Sequence, residues 1–242
     1  MSLPAAEAAD PYCLRPGESQ RLLTGHPWRR FAVLGDSVAE GLCEPVDGYS
    51  ELQWADRIAA ELRSTAGPSG AAELAYLNLG RRGLRAGQVR EGQLAAALKF
   101  EPDLALVVGG GNDAFSRSYD PDAVDAELAA IITALQRAGA DVITVGMFDV
   151  SHSPAVSERV RPELGQRMRR LSERTRALAE RLGALHVHLT DHALVADPSL
   201  YSSDGRHGSA RSDAIAAAET VRCLGAHLAS RSQQTGRRSV DQ

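Results

Sequence analysis

At 242 residues, with 43% hydrophobic and 24% charged side chains, the chain has an ordinary globular balance and enough length to bury a sizeable core. Its formal net charge of -4 and its scattered basic pairs (Arg29-Arg30, Arg81-Arg82, Arg169-Arg170) exclude the cationic patch that nucleic acid or an anionic membrane surface would need. Three cysteines (Cys13, Cys43, Cys223) exclude a disulfide framework, no apolar run approaches the roughly 18 residues of a membrane span, and Met1-Ser2-Leu3-Pro4 lacks the charge and apolar stretch of a secretory signal. A cytoplasmic protein is the expectation.

Taken in chain order, residues 1–28 hold no sustained period and read as an N-terminal arm, with Leu14 and Leu22-Leu23 as anchors. The first strand is Phe31 to Leu34, and it stops abruptly at Gly35-Asp36-Ser37. Leu52, Ala55, Ile58, Ala59 and Leu62 then form an apolar stripe at helical spacing. A second strand, Ala75 to Leu79, runs into Asn78-Leu79-Gly80-Arg81-Arg82-Gly83, and a helix carrying Leu94 and Leu98 follows. The third strand, Leu104 to Val108, ends in Gly110-Gly111-Asn112-Asp113, before a helix marked by Val124, Leu128, Ile131 and Leu135. Val142 to Gly146 is the fourth strand. The stretch 147–162 after it has no period and is expected as a loop over the rim of the site. Leu164, Met168, Leu171, Leu178 and Leu182 mark the next helix, and Leu185 to Leu189 the fifth strand. Gly139 and Gly183 fit helix C-caps ahead of the last two strands.

The chain then reaches Asp204-Gly205-Arg206-His207, with Ser209 placed to cap a last helix striped by Ala214, Ala218, Val221, Leu224 and Leu228. Residues 231–242 are polar and read as a flexible tail. Alternating strands and amphipathic helices without a break in composition predict one three-layer α/β/α domain over 29–230, built on a parallel five-stranded sheet.

In open α/β sheets ligands bind beyond the carboxyl ends of the strands, where Ser37 stands. A serine hydroxyl is a poor nucleophile unless a base takes its proton. His207 titrates in the right range for that task, and Asp204, three residues earlier, shares a tight turn with it. Donors for a developing oxyanion are at hand in the Ser37 N–H, the Asn112 side-chain amide and a glycine of Asn78-x-Gly80-x-x-Gly83, where Gly80 and Gly83 compete. Asp36 suits holding this loop by accepting hydrogen bonds. The second glycine of the G-x-S-x-G elbow is missing, which argues against the α/β-hydrolase class.

Together these four segments resemble the SGNH/GDSL hydrolase family, from about Arg30 to Leu228. The resemblance implies a flavodoxin-like strand order 2-1-3-4-5, with Ser37 as nucleophile, His207 as base, Asp204 as its orienting acid, and Ser37, Gly83 and Asn112 as oxyanion donors. It also implies a serine acyl hydrolase (esterase, thioesterase or deacetylase) acting on a small-molecule acyl substrate with no cofactor and no metal. Around the histidine the sequence departs from the family pattern: Arg206 stands where a bulky apolar residue is usual, which makes a more polar leaving-group side. Val38, Leu42, Phe115, Phe148, Tyr201 and Arg206 are the candidate substrate walls.

Three rival readings stay open: an acyltransferase using the same triad, a non-catalytic binding module, and a nucleotide or phosphate binder using Gly35-Asp36-Ser37 as an anion cradle. The last lacks the P-loop lysine and G-x-G-x-x-G. His186, His188, Asp191 and His192 include alternate strand residues that share a face, as metal ligands do, although a hydrogen-bonded strand histidine is the ordinary outcome. Cys43 has no base near it in sequence and suits a small buried hydrophobe.

Overall fold

In the computed structural model, which describes residues 4–66 and 74–240, five strands form one parallel sheet. They are β1 (Arg30–Leu34), β2 (Ala75–Asn78), β3 (Leu104–Val107), β4 (Asp141–Gly146) and β5 (Leu185–His188), in the order β2-β1-β3-β4-β5. All pairings are parallel, with Val33 opposite Asn78 and Leu34 opposite Val107. The expected order is therefore found, and every strand boundary lies within one residue of the sequence reading.

Alternation along the central strands explains why helices cover both faces. Phe31 and Val33 of β1, with Leu104 and Leu106 of β3, point into one core. Ala32 and Leu34, with Ala105 and Val107, point into the other. Such continuous apolar runs mark strands buried on both sides. One face is covered by α2 (Glu18–Leu23), α4 (Trp54–Thr65) and α9 (Ala210–Val240). The other is covered by α5 (Ala86–Phe100), α7 (Pro121–Arg137) and α8 (Arg161–Leu182).

Three stretches differ in detail from the sequence pattern. The buried face of α5 is Ala86, Val89, Gln93 and Ala97, so Leu94 and Leu98 sit half-buried on its flank. Gln93 displaces the leucines because its amide is bonded on both sides to the main chain of Gly35. Leu52 lies ahead of α4 and is exposed, and Trp54 takes the first core position of that helix. The segment set apart in the sequence as an arm is packed into the body from residue 4 onward. Its α1 (Ala5–Ala9) brings Glu7 against Arg57, while Cys13, Leu23 and Trp28 are buried. At the other end α9 runs on past Ser230 to Val240.

The carboxyl ends of the strands carry the remaining short elements. After β1 comes α3 (Ser37–Glu40), after β3 comes α6 (Gly111–Ala114), and a single 3-10 turn (Val150–His152) lies in the loop after β4. A two-residue parallel pairing of Cys43–Glu44 with Gly208–Ser209 ties the loop after α3 to the segment that enters α9.

Candidate active site

The turn after β1 is built by contacts that only small residues permit. A side chain on Gly35 would meet the Val108 carbonyl at 2.3 Å, so the chain turns against the end of β3 without one. Gln93 accepts from the Gly35 N–H and donates to its carbonyl, each at 2.8 Å. Asp36 then caps α3 by accepting the Val38 N–H at 3.0 Å, which leaves Ser37 as the first residue of that short helix. Burial drives the Asp36 carboxyl up to about 6, against the lowering effect of the Val38 N–H and the nearby His207.

Beyond the end of α8 and β5 the chain forms the turn 202–207. Ser202 N–H donates to the His207 carbonyl at 3.0 Å and Gly205 N–H to the Ser202 carbonyl at 3.2 Å, closing the turn on itself. One Asp204 oxygen accepts from Ser202 Oγ and from the N–H groups of Arg206 (2.8 Å) and His207 (3.0 Å). The other meets His207 Nδ1 at 2.5 Å. Burial alone would raise the Asp204 carboxyl, but these hydrogen bonds outweigh it and hold the group well below the usual carboxylate range. The turn is also anchored from outside. Glu44 accepts the Ser203 N–H at 2.5 Å, and Ser209 Oγ accepts the Ser212 N–H at 3.3 Å as cap of α9.

Across the cleft, His207 Nε2 stands 2.8 Å from Ser37 Oγ. A hydroxyl, an imidazole and an ionised carboxylate thus form one hydrogen-bonded chain, although Ser37 and His207 are far apart in sequence. Ser37 is 8% exposed and the His207 side chain 19%, so the pair is sheltered yet reachable.

Two further loops complete the wall. Asn78 Nδ2 donates to the Ala39 carbonyl and its Oδ1 accepts the Gly80 N–H, both at 2.8 Å. The Gly80 N–H is therefore engaged, and a Cβ there would meet Glu40 N at 2.2 Å. Gly83 differs: its φ of +80° is one that side chains resist, its N–H has no acceptor among the described residues, and it lines the cavity. Of the two glycines the sequence left in competition, Gly83 has the free donor. Asn112, in α6, donates from Nδ2 to the Leu84 carbonyl at 2.9 Å and approaches Asp36 Oδ2 at 3.4 Å.

One cavity of about 350 Å³ lies between these loops. Ser37, Gly83, Asn112 and His207 line it, as do Val38, Leu42, Phe115, Phe148, Tyr201 and Arg206. Asp204 stands behind His207, outside the lining. The loop after β4 contributes Met147, Phe148 and Val150 to the wall, and its Ala155 supports Gly205 of the histidine turn.

Some contributors carried no signal in the pattern of residues. Trp54, Arg82, Leu200 and Asp213 line the cavity from places that periodicity marks only as helix or loop. Met147 directly follows β4, a position at the carboxyl edge that a strand reading alone could have flagged. The histidines of β5 lie elsewhere. His186 Nδ1 contacts Thr144 Oγ1 at 2.9 Å, and His188 reaches Ser172 and Asp191. Among the described residues no group of three His, Cys, Asp or Glu side chains is placed to hold a metal ion. Burial, with Asp213 adjacent, pushes the Cys43 thiol up to about 12, so it stays protonated.

Comparison with known proteins gives the family and the fold. The family model described as GDSL-like Lipase/Acylhydrolase matches residues 33–215. No curated protein sequence matches the chain. Among solved structures, the chain is similar to a lipase/acylhydrolase from Enterococcus faecalis, with TM-score 0.64 and 20% identity over 82% of this chain and 96% of that one. It is similar also to the psychrotrophic esterase EstA from Pseudoalteromonas sp., with TM-score 0.60 and 14% identity over 83% and 98% of the two chains. The acetylxylan esterase Axe2 from Geobacillus stearothermophilus gives TM-score 0.60 and 17% identity over 84% and 95%. At these identities the neighbours speak for a shared fold, while the family match spans most of the chain. The chain belongs to the GDSL-like lipase/acylhydrolase family and is a hydrolase of ester bonds.

Proposed function

We propose that the protein is a serine acyl hydrolase that cleaves a small-molecule acyl ester through an acyl-enzyme, with Ser37, His207 and Asp204 as its triad. The observation that carries this reading is the hydrogen-bonded chain from Ser37 Oγ through His207 to Asp204, set in the wall of a largely apolar cavity. In the first half-reaction Ser37 Oγ attacks the carbonyl carbon as His207 Nε2 takes its proton. The oxyanion so formed is met by the N–H groups of Ser37 and Gly83 and by the Asn112 amide. Collapse of the intermediate breaks the bond to the leaving oxygen, which takes the proton from His207. Water then attacks the acyl-enzyme with His207 as base, releasing the acid and restoring Ser37. The ionised Asp204 keeps Nδ1–H facing itself and Nε2 free for this traffic.

Within this scheme Val38, Leu42, Phe115, Phe148 and Tyr201 shape the acyl site. The free thiols Cys13, Cys43 and Cys223 suit a reducing compartment, the cytoplasm. Among the described residues no helix is long and apolar enough to cross a membrane.

Labelling with a fluorophosphonate, read by intact mass on wild type and Ser37→Ala, tests the reading without knowledge of the substrate. One stoichiometric adduct that vanishes in the variant is expected. A folded wild type that takes no label would overturn the assignment and bring the binding-module reading forward.

A further inference from the structure

The cavity wall around Ser37 divides by chemistry. Its inner part is apolar and buried, with Val145, Met168, Leu189 and Leu200. Its rim carries two guanidinium groups, Arg82 and Arg206. Each is the chain neighbour of a residue in the reacting centre: Arg82 precedes Gly83, and Arg206 precedes His207.

Arg206 is held in place yet left without a counter-charge. Its backbone N–H is fixed on Asp204 at 2.8 Å, and its guanidinium lies 5.7 Å over the Phe115 ring on the opposite loop. No carboxylate pairs with it among the described residues. Its nearest acid in sequence, Asp204, spends both oxygens on Ser202, His207 and the turn's own N–H groups. Glu40 accepts the Arg82 N–H at 2.6 Å, while the Arg82 guanidinium makes one long contact with it at 3.4 Å and remains two-thirds exposed. An exposed cation stacked on an aromatic ring at the mouth of an apolar chamber is poised to take an anion from solvent.

An ester bound with its carbonyl at Ser37 has two ends to place. The apolar interior accepts a hydrocarbon end. The other end must leave through the mouth, and its oxygen must stand within reach of His207 Nε2, the group that protonates it. That side of the cleft is the side Arg206 occupies. We propose that the preferred substrate is an ester of an apolar acid whose leaving half carries an anionic group, a carboxylate or a phosphate, bound by Arg206 with Arg82 as a weaker second contact. This rests on the acyl-hydrolase reading and adds the substrate class to it.

The test compares butyrate esters of three phenols of matched acidity: one neutral, one bearing a carboxylate and one bearing a phosphate. The anionic esters should show kcat/KM about 10-fold or more above the neutral one at low ionic strength, mainly through KM, with the advantage shrinking as salt screens the rim. Arg206→Ala should lower the anionic-to-neutral ratio about 10-fold, the scale of one charge-assisted hydrogen bond at a partly exposed site, and Arg206→Glu should invert it. Arg82→Ala should lower it less. The carboxylate and phosphate arms separate the two kinds of anion. Wild type that cleaves all three alike, with a ratio unmoved by both Arg206 variants, would overturn this inference and leave the hydrolase reading standing. Wild type that cleaves none, and takes no fluorophosphonate label, would overturn both. Thermal melting of each variant checks that a changed ratio is not a folding defect.

Discussion

The hydroxyl of Ser37 has one short path for its proton, 2.8 Å to His207 Nε2, and the ring at the end of that path is aimed by Asp204 from the other side. In the proposed mechanism this hydroxyl is the nucleophile, so Ser37→Ala should cut kcat by about 10⁴-fold or more in a steady-state ester assay. Asp204→Asn keeps the shape of the turn but offers an amide where the ring needs an anion. It should lose about 10⁴-fold through the wrong tautomer and an unstabilised imidazolium. Asn112→Ala removes a proposed oxyanion donor, needed only once the oxyanion forms, so the expected loss is about 10²- to 10³-fold in kcat with a smaller change in KM. A variant at Asn112 with full kcat would remove it from the proposed oxyanion site. Asp36 has a different part. Its carboxylate caps α3 and stands beside the Asn112 amide, so it sets the position of the proposed nucleophile and of one proposed donor together.

At the scale of elements, the turn after β1 depends on α5 through one side chain. Gln93 is 5% exposed and satisfies both main-chain groups of Gly35, two residues before Ser37. Gln93→Leu preserves bulk but strands the buried Gly35 N–H, at a cost of about 1–3 kcal/mol, while the Gly35 carbonyl keeps the Arg81 N–H at 3.1 Å. The variant should melt earlier and lose kcat through a displaced Ser37. A melting temperature and kcat equal to wild type would show the clamp to be dispensable. Gln93 also marks where reading the sequence stopped. The strands were legible because β1, β3 and β4 are buried on both faces and so are written as unbroken apolar runs. Their ends were legible because Gly35, Gly109 and Gly146 punctuate them. The order of the sheet came from family resemblance, since periodicity says nothing about which strands are neighbours. A glutamine on the buried face of a helix has no period to betray it, for its partner is a glycine main chain 58 residues away. The same limit hid the cavity wall: Trp54 of α4 and Leu200, from the segment before α9, line one cavity only because the fold brings these distant stretches together.

Across the whole molecule, the segment before β1 is fastened to the body by charge as well as by apolar packing. Glu7 pairs with Arg57 at 2.5 Å, both nearly inaccessible, and Asp10 pairs with Arg211 of α9 at 2.7 Å. Glu7→Ala leaves a buried guanidinium short of its counter-charge, and a loss of about 3 kcal/mol in a denaturant titration is expected, whereas a surface pair would cost under about 1. A pattern search sees an arm here because the contacts are ion pairs across long separations. A second coupling between distant elements is the carboxylate of Asp213, at the start of α9, which accepts the Trp54 N–H of α4 at 3.0 Å and faces the cavity. Burial pushes its carboxyl up to about 6, against the lowering effect of the Trp54 N–H and Arg57. The unfolded chain releases this proton near the ordinary value of 3.8. Between those two values the folded protein binds more protons than the unfolded one, so folding stability falls as pH rises through that window. Asp213→Asn keeps an oxygen for the Trp54 N–H and removes the titration. The stability of the variant relative to wild type should therefore rise between pH 4 and 7, measured by denaturant titration at each pH. Parallel profiles for the two proteins would show that Asp213 ionises in the folded state as it does in water, and that its position between α4 and α9 costs the fold nothing.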